Sequence, residues 1–186
     1  LSKSSMRRAR FSGRWSARKA RTSVGVGRVP MASRKTRRMN SSSPVRSGIA
    51  AGAAKGLVLH LKGELGSGKT TLVRGLIHAL GHPGRVKSPT YTLLEPYSLL
   101  RLNLYHFDFY RFKDPSEWLS SGFREHFNPE SLCIVEWPEK AGDLLAPPDL
   151  EILLRYDAQS RIATPAALLA PGEAWLATAL SHWRSS

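Results

Sequence analysis

One octapeptide constrains this chain more than anything else in it: Gly63-Glu64-Leu65-Gly66-Ser67-Gly68-Lys69-Thr70 satisfies G-x-x-x-x-G-K-[ST] at every position. With glycine near 7% of residues, such a match arises by chance in under about 1% of chains this long. A glycine-rich turn accounts for the glycines but not for Lys69 and Thr70 at the start of the next helix. In such a loop the glycines let successive backbone N–H groups converge on a phosphate, and the following helix adds its N-terminal partial positive charge. Gly66, Ser67, Gly68, Lys69, Thr70 and Thr71 are therefore the expected nucleotide-binding residues. Lys69 is expected to reach the β- and γ-phosphates as a point charge. The Thr70 hydroxyl is expected to ligate Mg²⁺, whose remaining positions go to water and phosphate oxygens. The expected ligands are thus ATP and Mg²⁺.

The flanks suit the motif. Leu57–Leu61 (LVLHL) reads as a short buried parallel strand. After the loop, Leu72, Val73, Leu76, Ile77 and Leu80 fall on one helical face, which Gly81 and Pro83 end. Residues 84–99 read as loop with short extended structure, and Leu100–Phe109 as an alternating strand. Asp114-Pro115-Ser116-Glu117 reads as a helix start, with Asp114 as N-cap and Glu117 closing a capping-box pair. Leu132–Val135 is a buried strand, Leu150–Tyr156 and Arg161–Ala163 are late strands, and Glu173–Trp183 is a closing helix with Leu176, Ala179, Leu180 and Trp183 inward. The expected fold is α/β, a P-loop NTPase-like three-layer domain with a mostly parallel central sheet.

A phosphate loop also needs an acid near the end of a neighbouring strand to hold Mg²⁺ or orient water. Glu136, directly after LCIV, is the first candidate, and a solvated strand-end charge is the alternative. Asp108 is the second, with a salt bridge to Arg111 or Arg74 as its structural alternative. The expected catalytic set is Lys69, Asp108 and Glu136, with Thr70 and Glu136 as metal ligands. His106 shares a face with Asp108 and reads either as a supporting or proton-relay group or as a hydrogen-bonded core histidine. Cys133 reads as a core residue. Arg111 and Arg124 are candidates for an arginine acting in cis.

The net charge of +14 is unevenly spread: residues 1–55 carry +15 with no Asp or Glu, and residues 56–186 carry −1. Residues 1–55 read as a disordered basic tail ahead of a domain at 56–186, because their few apolar residues follow no structural period. An upstream extension outside the true chain, an organelle transit peptide and an RNA-binding arm all fit that composition. Within it, Ile49–Ala54 reads as no more than a frayed helical turn. No run of 18 apolar residues is present, so no membrane-spanning helix is expected. A single cysteine excludes a disulfide framework and fits a reducing compartment, hence a cytoplasmic setting. A small-molecule P-loop kinase is the alternative activity, although no paired arginines of a phosphate lid stand out between 110 and 165. A nucleic-acid-binding module driven by the basic segment is a third.

GELGSGKTTLVRGL, VKSPTYTLLEPY, YHFDFYRF and IVEWPEKAG, in this order and spacing over about residues 56–165, resemble the TsaE (YjeE) family of bacterial P-loop ATPases. The resemblance implies ATP hydrolysis in support of the threonylcarbamoyl modification of the adenosine beside the tRNA anticodon. It also implies partnership with the TsaD and TsaB proteins and contact with tRNA through that complex. It implies nucleotide contacts from Gly66 to Thr71, Mg²⁺ on Thr70 and Glu136, and Asp108 as the other essential acid. It further implies a switch-like loop at Ser88-Pro89-Thr90 with Thr90 sensing the γ-phosphate, Trp137 reporting on site or partner, and a late nucleotide contact at Arg161. The chain departs from the family pattern before residue 56, where a short strand and a helix are expected and not legible.

Overall fold

The computed structural model of the chain describes residues 37–39, 44–157 and 160–184. Its strands are β1 (Arg37–Met39), β2 (Val58–Lys62), β3 (Leu94–Ser98), β4 (Asn103–Asp108), β5 (Ser131–Glu136), β6 (Leu150–Asp157) and β7 (Ser160–Ala167). Its helices are α1 (Pro44–Ala51), α2 (Lys69–Ala79), α3 (Glu117–Ser120) and α4 (Ala170–Arg184), with 3₁₀ turns at Phe123–His126 and Pro138–Leu144. Among the described residues these strands form one sheet in the order β1-β7-β6-β2-β5-β4-β3. The central strands β6, β2, β5 and β4 run parallel, and β3, β7 and β1 are added antiparallel at the edges.

Two cores sandwich the sheet. On one face Leu59, Leu61, Leu132 and Ile134 pack with Leu72 and Leu76 of α2, Ile49 of α1 and Trp175 of α4. On the other, Val58, Cys133 and Val135 meet Phe107, Phe109, Phe112, Trp118 and Phe127. Burial on both faces is why β2 and β5 read as unbroken apolar runs rather than alternating ones. Cys133 is buried, as expected.

Three expectations need correction. First, the folded unit starts well before residue 56. β1 pairs with β7, and α1 sits in the core with Ile49 only 1% exposed. The Trp175 indole N–H donates to the Ile49 carbonyl at 2.7 Å; leaving that buried acceptor unpaired would cost about 1–3 kcal/mol. The segment Ile49–Ala54 is thus the end of a docked helix and its exit, not a frayed turn. Residues 1–36 and 40–43 lie outside the described residues. Second, the strand expected from Leu100 begins at Asn103. Residues 99–102 are the turn of a hairpin, closed by Leu99 N–H donating to the Leu102 carbonyl at 3.0 Å, and Leu100 is fully exposed. The partner strand β3 carries Pro96, which an edge position tolerates. Third, α3 begins at Glu117 behind Ser116. Half of the expected pair survives: Asp114 N–H donates to Glu117 Oε1 at 3.1 Å, but Asp114 Oδ1 accepts from Ser116 N–H at 2.7 Å, and Glu117 N–H donates to the Asp114 backbone carbonyl instead. The α4 helix buries Trp175, Leu176 and Ala179; the Trp183 side chain lies outside what is described.

Register brings the chemistry to one end of the sheet. Leu61 and Asp108 both pair with Glu136. The loop that leaves β2 and the acids that end β4 and β5 therefore meet at the carboxyl ends of the parallel strands, where open α/β sheets bind ligands.

Candidate nucleotide-binding site

The loop between β2 and α2 adopts a conformation that glycine permits. Gly63 has φ 139° and Gly66 φ 76°. A Cβ on Gly63 would collide with the Leu154 carbonyl, and one on Gly66 would sit 2.5 Å from the Tyr156 hydroxyl. Gly68 caps α2 with no side-chain hydrogen bond, leaving the first helical N–H groups to an external acceptor. The cleft beside the loop has a volume of about 210 Å³. Its lining is Leu65, Gly66, Gly68, Lys69, Thr70, Thr71, Thr90, Asp108, Tyr110, Glu136 and Trp137.

Lys69 is 4% exposed. Its Nζ donates to the loop's own carbonyls, Gly63 O at 2.7 Å and Glu64 O at 2.9 Å, and lies 3.9 Å from the centroid of the Trp137 ring. Burial pushes the Lys69 pKa below its usual value, against the opposing pull of Glu136, Asp108 and Glu139. A bound anion would favour the charged form that burial penalises.

The acids occupy distinct settings. Glu136 is 2% exposed: its Oε2 accepts from the Thr70 hydroxyl at 3.1 Å and its Oε1 lies 2.8 Å from His106 Nε2. The alternative of a solvated strand-end charge is thereby removed. Asp108 is 3% exposed. Its Oδ2 accepts from the Thr90 hydroxyl at 2.6 Å and its Oδ1 from Tyr110 N–H at 3.0 Å. No salt bridge to Arg74 or Arg111 forms: Arg74 Nε donates to the Val86 carbonyl at 3.4 Å, and the Arg111 guanidinium lies 4.2 Å from the centroid of the exposed Tyr91 ring. Ser88 Oγ is 2.9 Å from Thr90 Oγ1, so the Ser88–Thr90 loop is tied to Asp108.

Lys69, Thr70, Thr71, Gly66, Gly68, Asp108 and Glu136 are thus brought together as expected. Ser67 is not at the surface of the cleft: its side chain is fully buried and Oγ finds no partner among the described residues. Arg161 does not line the cleft either. Its guanidinium lies 4.2 Å from the Tyr156 ring centroid, and the Tyr156 hydroxyl donates to the Leu65 carbonyl at 2.9 Å. Arg161 is thus linked to the loop through Tyr156, which sequence reasoning missed. Arg111 and Arg124 are absent from the lining as well. Tyr110 was also missed; its position two residues after Asp108 was the available signal. Trp137 holds a left-handed backbone (φ 57°, ψ 48°), rare for a bulky residue, which leaves its ring over Lys69.

The charge balance tests the fit to a nucleotide. Two carboxylates face one ammonium, so the lining carries a formal −1. A polyphosphate enters such a cleft with a cation of its own. Among the described residues no group of three or more His, Cys, Asp or Glu could hold a metal alone. Thr70 Oγ1 and Glu136 Oε2 instead form a two-oxygen seat of the kind Mg²⁺ shares with phosphate and water.

Residues 37–163 match the family model described as threonylcarbamoyl adenosine biosynthesis protein TsaE. The tRNA threonylcarbamoyladenosine biosynthesis protein TsaE of Haemophilus influenzae is 48% identical over 103 residues, 55% of this chain and 64% of that protein. The protein of the same name from Bacillus subtilis is 42% identical over 106 residues, 57% of this chain and 66% of that protein. The chain thus spans just under two thirds of each of these relatives. The crystal structure of Bacillus subtilis YdiB is similar with a TM-score of 0.60 at 28% identity, over 80% of this chain and 96% of that one.

Proposed function

The chain belongs to the TsaE family, and from that premise we propose that it binds and hydrolyses ATP with Mg²⁺ in support of the threonylcarbamoyl modification of tRNA. The observation that carries this is the convergence of the phosphate loop, Thr70 and Glu136 on one cleft. The names of the relatives favour this role over the small-molecule kinase that the loop alone leaves open.

Lys69 leaves the Gly63 and Glu64 carbonyls and carries its charge to the phosphates. The loop N–H groups and the N-terminus of α2 hold the same anion. Thr70 and Glu136 offer their facing oxygens to Mg²⁺, which when bound neutralises charge on the phosphate oxygens. Asp108, fixed by Thr90 and Tyr110 N–H, is the acid that orients water. Positioning and charge neutralisation supply most of the rate. Neither candidate arginine lines the cleft, which fits slow hydrolysis by the chain alone.

The Thr90–Asp108 bond makes the Ser88–Thr90 loop a two-state element, since a γ-phosphate competes for the Thr90 hydroxyl. The partners are the TsaD and TsaB proteins, with tRNA reached through them, in the cytoplasm. Among the described residues no helix is long and apolar enough to cross a membrane.

The test combines turnover with binding. Hydrolysis by the full chain should be slow and release free phosphate without a phosphorylated small-molecule product, and should rise when the TsaD–TsaB pair is added. The pair should bind the chain with different affinity in a non-hydrolysable ATP analogue and in ADP, and Thr90→Ala should narrow that difference. No stimulation contradicts the partnership, and equal affinity in both nucleotides contradicts the switch.

A further inference from the structure

His106 is the fully buried neighbour of Glu136, on the adjacent parallel strand. Its Nε2 lies 2.8 Å from Glu136 Oε1, while the other oxygen of that carboxylate accepts from Thr70 at 3.1 Å. The two oxygens thus have separate duties. Oε1 points back into the sheet layer at His106, and Oε2 faces the loop hydroxyl. The second ring nitrogen, Nδ1, is buried with no hydrogen-bond partner among the described residues. A proton there would be a buried donor without an acceptor, which costs about 1–3 kcal/mol. The proton therefore belongs on Nε2, where the carboxylate accepts it.

We propose that His106 is a positioning residue that ties Glu136 Oε1 and so offers the cleft a single carboxylate oxygen, making Glu136 a one-oxygen ligand selective for Mg²⁺. This rests on the ATP and Mg²⁺ reading above. Mg²⁺ demands near-ideal octahedral geometry and takes carboxylates through single oxygens, whereas Ca²⁺ accepts both oxygens of one carboxylate in a looser shell. A carboxylate with one oxygen held from behind cannot swing to present both. Hydrogen bonds to a ligating group from its far side fix its orientation, and removing them typically lowers metal affinity by about 10–100-fold. Asp108 has no such support from a ring; its oxygens are held by Thr90 and a backbone N–H.

Two measurements decide the matter. The first compares wild type, His106→Leu and His106→Gln by the Mg²⁺ dependence of ATP turnover and its inhibition by Ca²⁺. His106→Leu should raise half-saturating Mg²⁺ by about 10–100-fold, with a much smaller fall in turnover at saturating Mg²⁺, and should sharpen inhibition by Ca²⁺. His106→Gln, which keeps an N–H donor of similar reach, should recover most of the Mg²⁺ affinity. Unchanged Mg²⁺ and Ca²⁺ dependence in a folded His106→Leu protein overturns the proposal. Absence of any Mg²⁺-dependent turnover or nucleotide binding in the wild type overturns the ATPase reading and the metal role of His106 together. The second needs no activity and no variant. In ¹⁵N-labelled, nucleotide-free protein, the His106 ring should show its proton on Nε2, shielded from exchange. A proton on Nδ1 instead overturns the proposal even if every variant fails to fold.

Discussion

Lys69→Ala should leave no detectable ATP binding at micromolar nucleotide. Lys69 is the single cation lining the cleft, against Asp108 and Glu136. Removing it takes the lining from a formal −1 to −2, so the ligand loses a charged donor and meets stronger repulsion. A hydrogen bond to a charged group contributes about 1.5–3 kcal/mol, or about 10–150-fold in affinity, before that repulsion is counted. The fold should survive. In the nucleotide-free state the ammonium serves only the loop's own carbonyls and the Trp137 ring, and burial already disfavours its charged form. Calorimetry on the folded variant checks this, and unchanged affinity would remove the phosphate-loop assignment.

Glu136→Gln should keep nucleotide binding and lose about 100-fold in Mg²⁺-dependent hydrolysis, the equivalent of the several kcal/mol that a well-held metal supplies. The amide matches the shape: its oxygen still accepts from His106, and its nitrogen takes the place of Oε2 beside Thr70. What is lost is the charge. Loop N–H groups, Lys69 and the α2 N-terminus are untouched, and the lining goes from a formal −1 to neutral. Mg²⁺ can still accompany the nucleotide's own phosphates beside Thr70, so binding persists while the loosely held metal lowers turnover. Steady-state hydrolysis and nucleotide titration on the same preparation separate the two. Hydrolysis within about twofold of wild type would transfer the essential-acid role to Asp108, which sits at the same end of the sheet.

The parts of the fold that were legible are those where local pattern and tertiary role coincide. The motif at Gly63–Thr70, the apolar runs of β2 and β5 and the helical face of α2 each signal their structure within a dozen residues. Glu136 was legible because an acid directly after a buried run has few places to go. The α1 helix was not. Val45 and Ile49 are its only apolar side chains larger than alanine besides Pro44, it lies in a segment of high positive charge, and its anchoring partner Trp175 is 126 residues away. The β3–β4 hairpin was blurred because Leu99 and Leu100 extend the leucine pattern across a turn. The partners of Asp108 were misjudged for a related reason. Charge suggested an arginine, but the nearest donors are the Thr90 hydroxyl and a backbone N–H that the turn after β4 delivers. The resting place of Lys69, the backbone of Trp137 and the link from Arg161 through Tyr156 to Leu65 depend on loop geometry that no spacing rule encodes.

The most direct measurement is calorimetric titration of the full chain with a non-hydrolysable ATP analogue, with Mg²⁺ and with Mg²⁺ chelated. If, as proposed, Mg²⁺ is held by Thr70 and Glu136 in a cleft whose lining carries −1, there is one saturable site per chain whose affinity falls sharply when Mg²⁺ is removed. No saturable heat, or the same affinity with and without Mg²⁺, would contradict a nucleotide site built on Lys69, Thr70 and Glu136.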